Sequence, residues 1–547
     1  MLLRGGRVAQ PGKDEPEQLD IRIVDERFSE LRSGIRPIGD ETVYDLEGLM
    51  VLPGGIDSHV HFDTPGFTDR EDFLHGSAEA ARGGITTIID MPCTSLPPVT
   101  SVPHLEHKVK AIQPLALIDY GLYGGLAGPV SGETYTQDYL EATVRTLAPY
   151  VLGFKAYLLS GMESFPRLNH EALKRAIHAC AAAGRPLLLH AEDADYVYAA
   201  TERIQARLLA TTQAKLGPGG AVAAWAESGP GAAAATRSNS GVAGAVAARA
   251  APGAAEAGAT KLSGATPTAE APGAAGTAAT WDDYVDSRPE AAELVAVAAA
   301  VQLAGIDVAN LHIVHVGTGA AAQLAHEAGA SCETCGHYLA FTRDDFAEKG
   351  ASLKTAPPVK EAHNRDKLWQ YLKDGTIDFV TSDHAPARPE EKRTGSVWTD
   401  YGGIPGVGTT YPYLFSEGYL KGRLSLAQLQ ALMAGAKARR FGLADRKGAI
   451  APGLDADFVI MDPAARTVLR GAELLSKGKD TPFDGMELRG AILGTWLRGK
   501  AVYLNPEMKH AWGRFINMKD SAPHPDLKGI LVSGGYGQWL RWGSSEG

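Results

Sequence analysis

The sequence predicts an α/β chain built on a closed (β/α)8 TIM-like barrel, with a small β-sandwich assembled beside it from both chain ends. Three observations carry that expectation. Eight short apolar or alternating runs recur between about residue 54 and residue 386, separated by segments with helical spacing. The runs near either end of the chain are instead joined by short turns, with no helix between them. No Gly-x-Gly-x-x-Gly turn follows the first internal run, which argues against an open doubly wound sheet.

Residues 1–53 hold "LLRGGRVA", "LDIRIVDERFSEL" and "ETVYDLEGLMVL", short strands that cannot bury a core alone and form the first part of the sandwich. The barrel, 54–445, then runs through "GGIDSHVHF", "TTIIDMP", "LIDYGLYGGL", "LGFKAYLLS", "PLLLHAE", "LHIVHVG", "SCETCGHYL" and "DFVTSDHAP". Helical segments alternate with them, such as "NHEALKRAIHACAAAG", which stops on a glycine. Residues 217–280 interrupt this pattern. They are rich in Ala, Gly, Pro, Ser and Thr and nearly without large apolar side chains, so a disordered surface insertion is expected there. Residues 446–516, with "GAIAPGLDADFVIMDP" and "AILGTWLRGKAVYL", supply the second part of the sandwich, and 517–547 read as an appendage.

Composition narrows the function classes. Across 547 residues, 44% are hydrophobic and 21% charged, as in an ordinary globular protein. A net charge of −11 leaves no basic stripe to neutralise phosphates, so no nucleic-acid partner is expected. No signal-peptide core and no bilayer-length apolar run is read, so no membrane partner is expected either. The four cysteines, Cys93, Cys180, Cys332 and Cys335, make no disulfide framework and point to the cytoplasm. Cys332-x-x-Cys335 lies in a strand-like run with no second pair to complete a zinc site, and reads as two buried strand cysteines.

The chemistry gathers at strand ends. His59 and His61 are two apart on the first barrel strand and therefore share a face, although a solvent-facing polar strand has the same spacing. Lys155 sits inside the apolar fourth strand; His190, His315 and Asp383 follow at the ends of the fifth, sixth and eighth. Singly, each histidine reads as a satisfied core residue and Asp383 as a helix cap. Together they fall where a (β/α)8 barrel builds its site.

These residues stand in motifs ("DSHVHF", "GGITTIIDMP", "GFKAYL", "HAED", "YVDSRP", "HVG", "CETCGHYL", "APPVK", "SDHAP", "KGAIAPGLDADFVI") by which the chain resembles the amidohydrolase superfamily. The resemblance is to its cyclic-amide hydrolases (allantoinase, dihydroorotase and hydantoinase), nearest to allantoinase, over residues 1–516 apart from the insertion. It implies two divalent metal ions and a Lys155 carbamate made from carbon dioxide that bridges them; imidazole and carboxylate donors suit Zn2+ first, with Mn2+, Fe2+ and Co2+ as alternatives. It also implies that His59, His61 and Asp383 hold the more buried ion, that His190 and His315 hold the second, and that Asp383 acts as base. A buried lysine suits this, because burial lowers its pKa and frees the amine to react with carbon dioxide. The implied substrate is a small cyclic amide, and a homo-oligomer, dimer or tetramer, is expected. By the same resemblance Ala356 in "APPVK" and Gly402 and Gly403 in "YGGIPG" present backbone groups to the ring. Ser160 stands where hydantoinases have a tyrosine. Asp63 stands where dihydroorotases commonly have an arginine, and would repel the carboxylate of dihydroorotate. Non-catalytic relatives of such barrels lack several of these ligands; all six are present here.

Overall fold

A computed structural model describes residues 1–130, 136–216, 278–508 and 523–543. Most of the expected insertion, 217–277, lies outside the described residues. The chain divides into one unit of Met1–Thr201 with Thr280–Gly547, which holds both sheets, and a second of Glu202–Ala279.

All eight internal runs form parallel strands, paired in sequence order in one eight-stranded sheet. They are Gly55–Val60, Ile85–Asp90, Asp119–Gly125, Gly153–Tyr157, Leu187–His190, Leu311–Ile313, Ser331–Cys335 and Phe379–Thr381. The ladder closes through a parallel bridge between Val60 and His384. There the His61 amide donates to the His384 carbonyl at 2.8 Å, and the His384 amide to the His59 carbonyl at 3.3 Å. Helices alternate with the strands, and several of their starts are marked by a capping side chain. Asp72, Ser101, Asn169 and Thr318 accept backbone N–H groups from His75, His104, Ala172 and Ala321 at four of these starts.

The segment Trp281–Asn310 is the one stretch among the described residues that is helical, long and apolar enough to be measured against a bilayer. It is broken at Pro289, and its main helix, Glu290–Ala304, buries Ala292, Ala296, Val297 and Ala300 between the fifth and sixth barrel strands in chain order.

The chain ends meet in a second eight-stranded sheet. Its order runs Lys500–Leu504, Glu487–Leu497, Phe458–Val468, Met50–Pro53, Leu2–Val8, Glu17–Val24 and Arg27–Arg32, with Val43–Asp45 beside Leu2–Val8. Met50–Pro53 is thus flanked by a parallel N-terminal strand and an antiparallel C-terminal one. A buried ionic cluster ties this sheet's neighbourhood to the third barrel strand: Lys447 Nζ lies 2.7 Å from Asp119, 2.6 Å from Asp457 and 3.0 Å from Asp455, and Arg498 also pairs with Asp119.

The appendage expected at 517–547 needs correction where it is described. Residues 523–543 pack onto the body of the chain: Trp539 bridges Tyr120, Ile530 bridges Tyr503, and Leu527, Ile530, Val532 and Leu540 are buried. Their apolar side chains are spaced irregularly among Gly, Ser and Pro, so no periodicity announced the packing.

Candidate metal centre

Six side chains from five strands converge at the C-terminal end of the barrel. His59 and His61 leave the first strand on the same face, their rings 5.5 Å apart between centroids. Asp383, two residues past the eighth strand, crosses the closure seam to meet them: its Oδ1 is 3.2 Å from His59 Nε2 and 3.5 Å from His61 Nε2. These three donor atoms form a group that could hold a metal ion. His315 stacks obliquely against His59 at 5.4 Å, and its Nε2 faces His190 Nδ1 at 2.9 Å. Asp383 and His315 both have left-handed backbones, with φ of 49° and 40°, an uncommon conformation for non-glycine residues that is found at functional turns.

Lys155 lies among them. It is fully buried, and its Nζ has no hydrogen-bond partner among the described residues. The amine sits 4.7 Å over the Tyr157 ring, which itself stacks on His190 at 5.1 Å. An orphaned buried amine beside two imidazole pairs and a carboxylate is a poor core and a fitting donor set for divalent cations once the amine is converted to an anion.

Burial drives the electrostatics. It lowers Lys155 to about 8 and moves His59, His190 and His315 below the ordinary imidazole value, which leaves their lone pairs free. His61 goes the other way, to about 10: burial opposes the charge, but Cys93 at 3.8 Å and Asp383 outweigh it. Burial also pushes Asp383 up, yet the surrounding histidines hold it well below the usual carboxylate range. Its side chain keeps 15% exposure, against 1% for His59, so it is the member of the group open to an incoming molecule.

Behind the ligands stands a supporting layer, of which the sequence reading picks out His384, beside Asp383, and misses Glu333 and Glu192. Glu333, on the seventh strand, accepts from His59 Nδ1 at 2.6 Å and faces His312 Nε2 at 3.2 Å. That fixes the His59 tautomer so that Nε2 points at Asp383. Glu192 does the same for His190, at 3.0 Å from its Nε2, and is braced by Arg288 at 2.7 Å. His384 is committed on both nitrogens, to Glu71 at 3.2 Å and to the Val407 amide at 3.3 Å. The signal for Glu333 was present: a lone acid inside a short, buried strand, flanked by Cys332 and Thr334. Cys332 and Cys335 are free and buried, as read.

The substrate-side residues separate. The two loops do come together: Gly403 donates its amide to the Lys354 carbonyl at 2.9 Å, and Gly402 lies against Thr355 and Ala356. Glycine is required at 403, where any side-chain carbon would collide with the Ala385 carbonyl oxygen. Ser160 is occupied elsewhere, because its hydroxyl donates to the Phe165 carbonyl at 2.7 Å and accepts from the Met162 amide at 3.2 Å. Asp63 is 1% exposed, with neither carboxyl oxygen hydrogen-bonded among the described residues, and burial holds its carboxyl well above the ordinary range.

Among known proteins, the sequence pattern of the amidohydrolase family matches residues 50–502. The chain is 32% identical to a protein named allantoinase from Rubrobacter xylanophilus, over 92% of this chain and 94% of that one. It is also 32% identical to one of the same name from Deinococcus radiodurans, over 93% and 96%. Its fold superimposes on the solved L-hydantoinase (dihydropyrimidinase) from Arthrobacter aurescens with a TM-score of 0.76 at 26% identity, covering 99% of both chains.

Proposed function

This chain belongs to the amidohydrolase family, and from that premise we propose that it is a metal-dependent hydrolase of small cyclic amides that opens allantoin to allantoate. The observation that carries the reading is the convergence of His59, His61 and Asp383 on one point, with Lys155, His190 and His315 around it. In this reading His59, His61 and Asp383 would hold one ion, and His190 and His315 a second. Lys155 would serve the pair as a carbamate, formed when its neutral amine adds to carbon dioxide and releases a proton. Two such cations supply polarisation of an amide carbonyl and acidification of water.

The protein's own groups do the rest. Asp383 faces the open end of the site and takes the proton of the attacking water as oxygen adds to the ring carbonyl carbon. It returns the proton to the ring nitrogen as the carbon–nitrogen bond breaks, so that one carboxylate serves both halves of the reaction. Glu333 and Glu192 keep their imidazoles in the tautomers that face inward. The loops carrying Ala356 and Gly402–Gly403 present main-chain groups to the ring amide, while Ser160, already bonded to its own loop, takes no part. Asp63 stands where a ring carboxylate would need a cationic partner and offers none, which places dihydroorotate last and an uncharged hydantoin second.

Zinc as the metal, a dimer or tetramer as the assembly and the cytoplasm as the compartment belong to the same proposal. The imidazole-rich donor set supports the first, and the buried free thiols support the last. The test is side-by-side hydrolysis of allantoin, hydantoin, dihydrouracil and dihydroorotate by metal-loaded protein. Allantoin is expected to lead; a preference for dihydroorotate would overturn the substrate and leave only the cyclic-amide class.

A further inference from the structure

Lys108 is the most unexpected side chain in the barrel wall. It lies in the helix Val102–Ile112, on the face that also buries Leu105 and Ile112, where the spacing calls for another apolar residue. It is fully buried, with its Nζ 2.5 Å from an oxygen of Asp90, and Asp90 is fully buried too. A buried ion pair recovers little more than the cost of taking both charges out of water, and apolar residues of similar volume often serve a fold as well or better. Stability alone therefore does not account for the pair. Its two arms lead to the metal-site end of the barrel.

Asp90 ends the second barrel strand, and its other oxygen accepts the amide of Phe62, the residue after His61, at 2.8 Å. Lys108 Nζ also donates to the Ser95 hydroxyl at 2.5 Å, in the loop that follows that strand. The same loop supplies the groups behind His61: the Thr94 hydroxyl lies 3.3 Å from its Nδ1, and Cys93 Sγ 3.8 Å. His59 is backed by Glu333 and His190 by Glu192, whereas no carboxylate pairs with His61 Nδ1 among the described residues. His61 is held instead by its backbone neighbour and by a loop, and one ammonium ties down both. We infer that Lys108 is a positioning residue for the metal centre: through Asp90 and Ser95 it sets the direction in which His61 Nε2 meets Asp383. It acts at a distance, through the two segments that flank the imidazole. The inference rests on the reading of His59, His61 and Asp383 as a metal-holding group.

The test compares wild type with Ser95→Ala and with the double variant Asp90→Asn/Lys108→Met. The double variant carries neither charge, and its asparagine oxygen can still accept from Phe62. Each protein is stripped and titrated with zinc against a competing chelator, loaded with cobalt for its visible absorption, and melted. Zinc affinity is expected to fall about tenfold in the double variant and by less in Ser95→Ala, with altered cobalt absorption in both. Lys447→Met is the control, because it strands acids around Asp119, at the opposite end of the third strand. It should lower the melting temperature and leave zinc affinity and cobalt absorption as in wild type. Wild-type affinity and absorption in a folded double variant would overturn the inference and leave the pair a packing feature. Should the double variant not fold, the same result in Ser95→Ala overturns it. A loss of affinity in Lys447→Met as large as in the double variant would overturn it too, since any destabilisation would then suffice. A wild type that takes up no zinc would remove the metal reading itself, and this inference with it.

Discussion

Replacing Glu333 by leucine tests whether the candidate centre is organised from behind. The carboxylate is fully buried, accepts from His59 Nδ1 at 2.6 Å, and meets His312 Nε2 at 3.2 Å and the Ser58 hydroxyl at 3.4 Å. Burial alone would raise its pKa, but the two imidazoles win and hold it far below the ordinary carboxylate range, so it is an anion in the folded chain. Leucine leaves the His59 N–H without an acceptor and frees the ring to turn its Nε2 away from Asp383. A hydrogen bond to a charged group contributes about 1.5–3 kcal/mol, and loss of a carboxylate behind a ligating histidine weakens metal binding about 10- to 100-fold. The two agree, since each factor of ten is ~1.4 kcal/mol. The assay is zinc titration of the metal-free protein against a competing chelator, with a melting curve on the same sample to show that the variant is folded. Glutamine is the control. Its oxygen can still accept from His59 while His312 changes tautomer toward the Ser331 hydroxyl at 2.8 Å, so its loss should stay below about tenfold. A folded Glu333→Leu protein that binds zinc as wild type does would refute the argument.

The remaining predictions follow the same geometry. Lys155→Ala should abolish turnover and lower bound metal, and short carboxylic acids should restore part of the activity; full metal and full activity in the variant would end the carbamate reading. Lys447→Met strands Asp119, Asp455 and Asp457 without their shared cation, and should cost roughly 3–5 kcal/mol, read as a lowered unfolding midpoint with catalytic constants little changed in the folded protein. Glu192 is opposed by burial but held down by Arg288 and His190, from 4.5 to about 2. Its contribution of ~3 kcal/mol is therefore complete above pH 4.5 and is lost as pH falls toward 2. Glu192→Gln should flatten that acid limb in pH-dependent unfolding; an unchanged limb would contradict the assignment.

The barrel was legible because its eight strands are short, apolar and separated by capped helices, each a local signal. The six converging side chains were legible for a related reason: strand ends are local, and barrel closure brings them together whatever the loops do. What escaped depends on contacts far apart in sequence. Glu333 looks like one acid among cysteines until it meets His59, 274 residues away. Ser160 has the right place in the chain, but the turn to Phe165 consumes its hydroxyl. Residues 523–543 show no alternation because they pack as irregular backbone, burying Leu527, the run Ile530–Val532 and Leu540. Asp63 was singled out for its charge; that its carboxyl is 1% exposed is a fact of three-dimensional enclosure.

The sheet made from both chain ends has a consequence for how the protein comes off the ribosome. Met50–Pro53 needs Phe458–Val468 as its neighbour, and Pro53 and Phe458 are 405 residues apart. At typical synthesis rates of about 5–20 residues per second, the N-terminal strands wait roughly 20 to 80 s for that partner. Throughout that interval Met50, Val51 and Leu52, all buried in the finished molecule, present an open apolar edge. The barrel is under the same constraint, since its first strand waits for the eighth. The nascent chain is therefore a client for holding chaperones until nearly its last strand emerges, and truncation before residue 458 exposes an aggregation-prone edge instead of releasing a smaller folded domain.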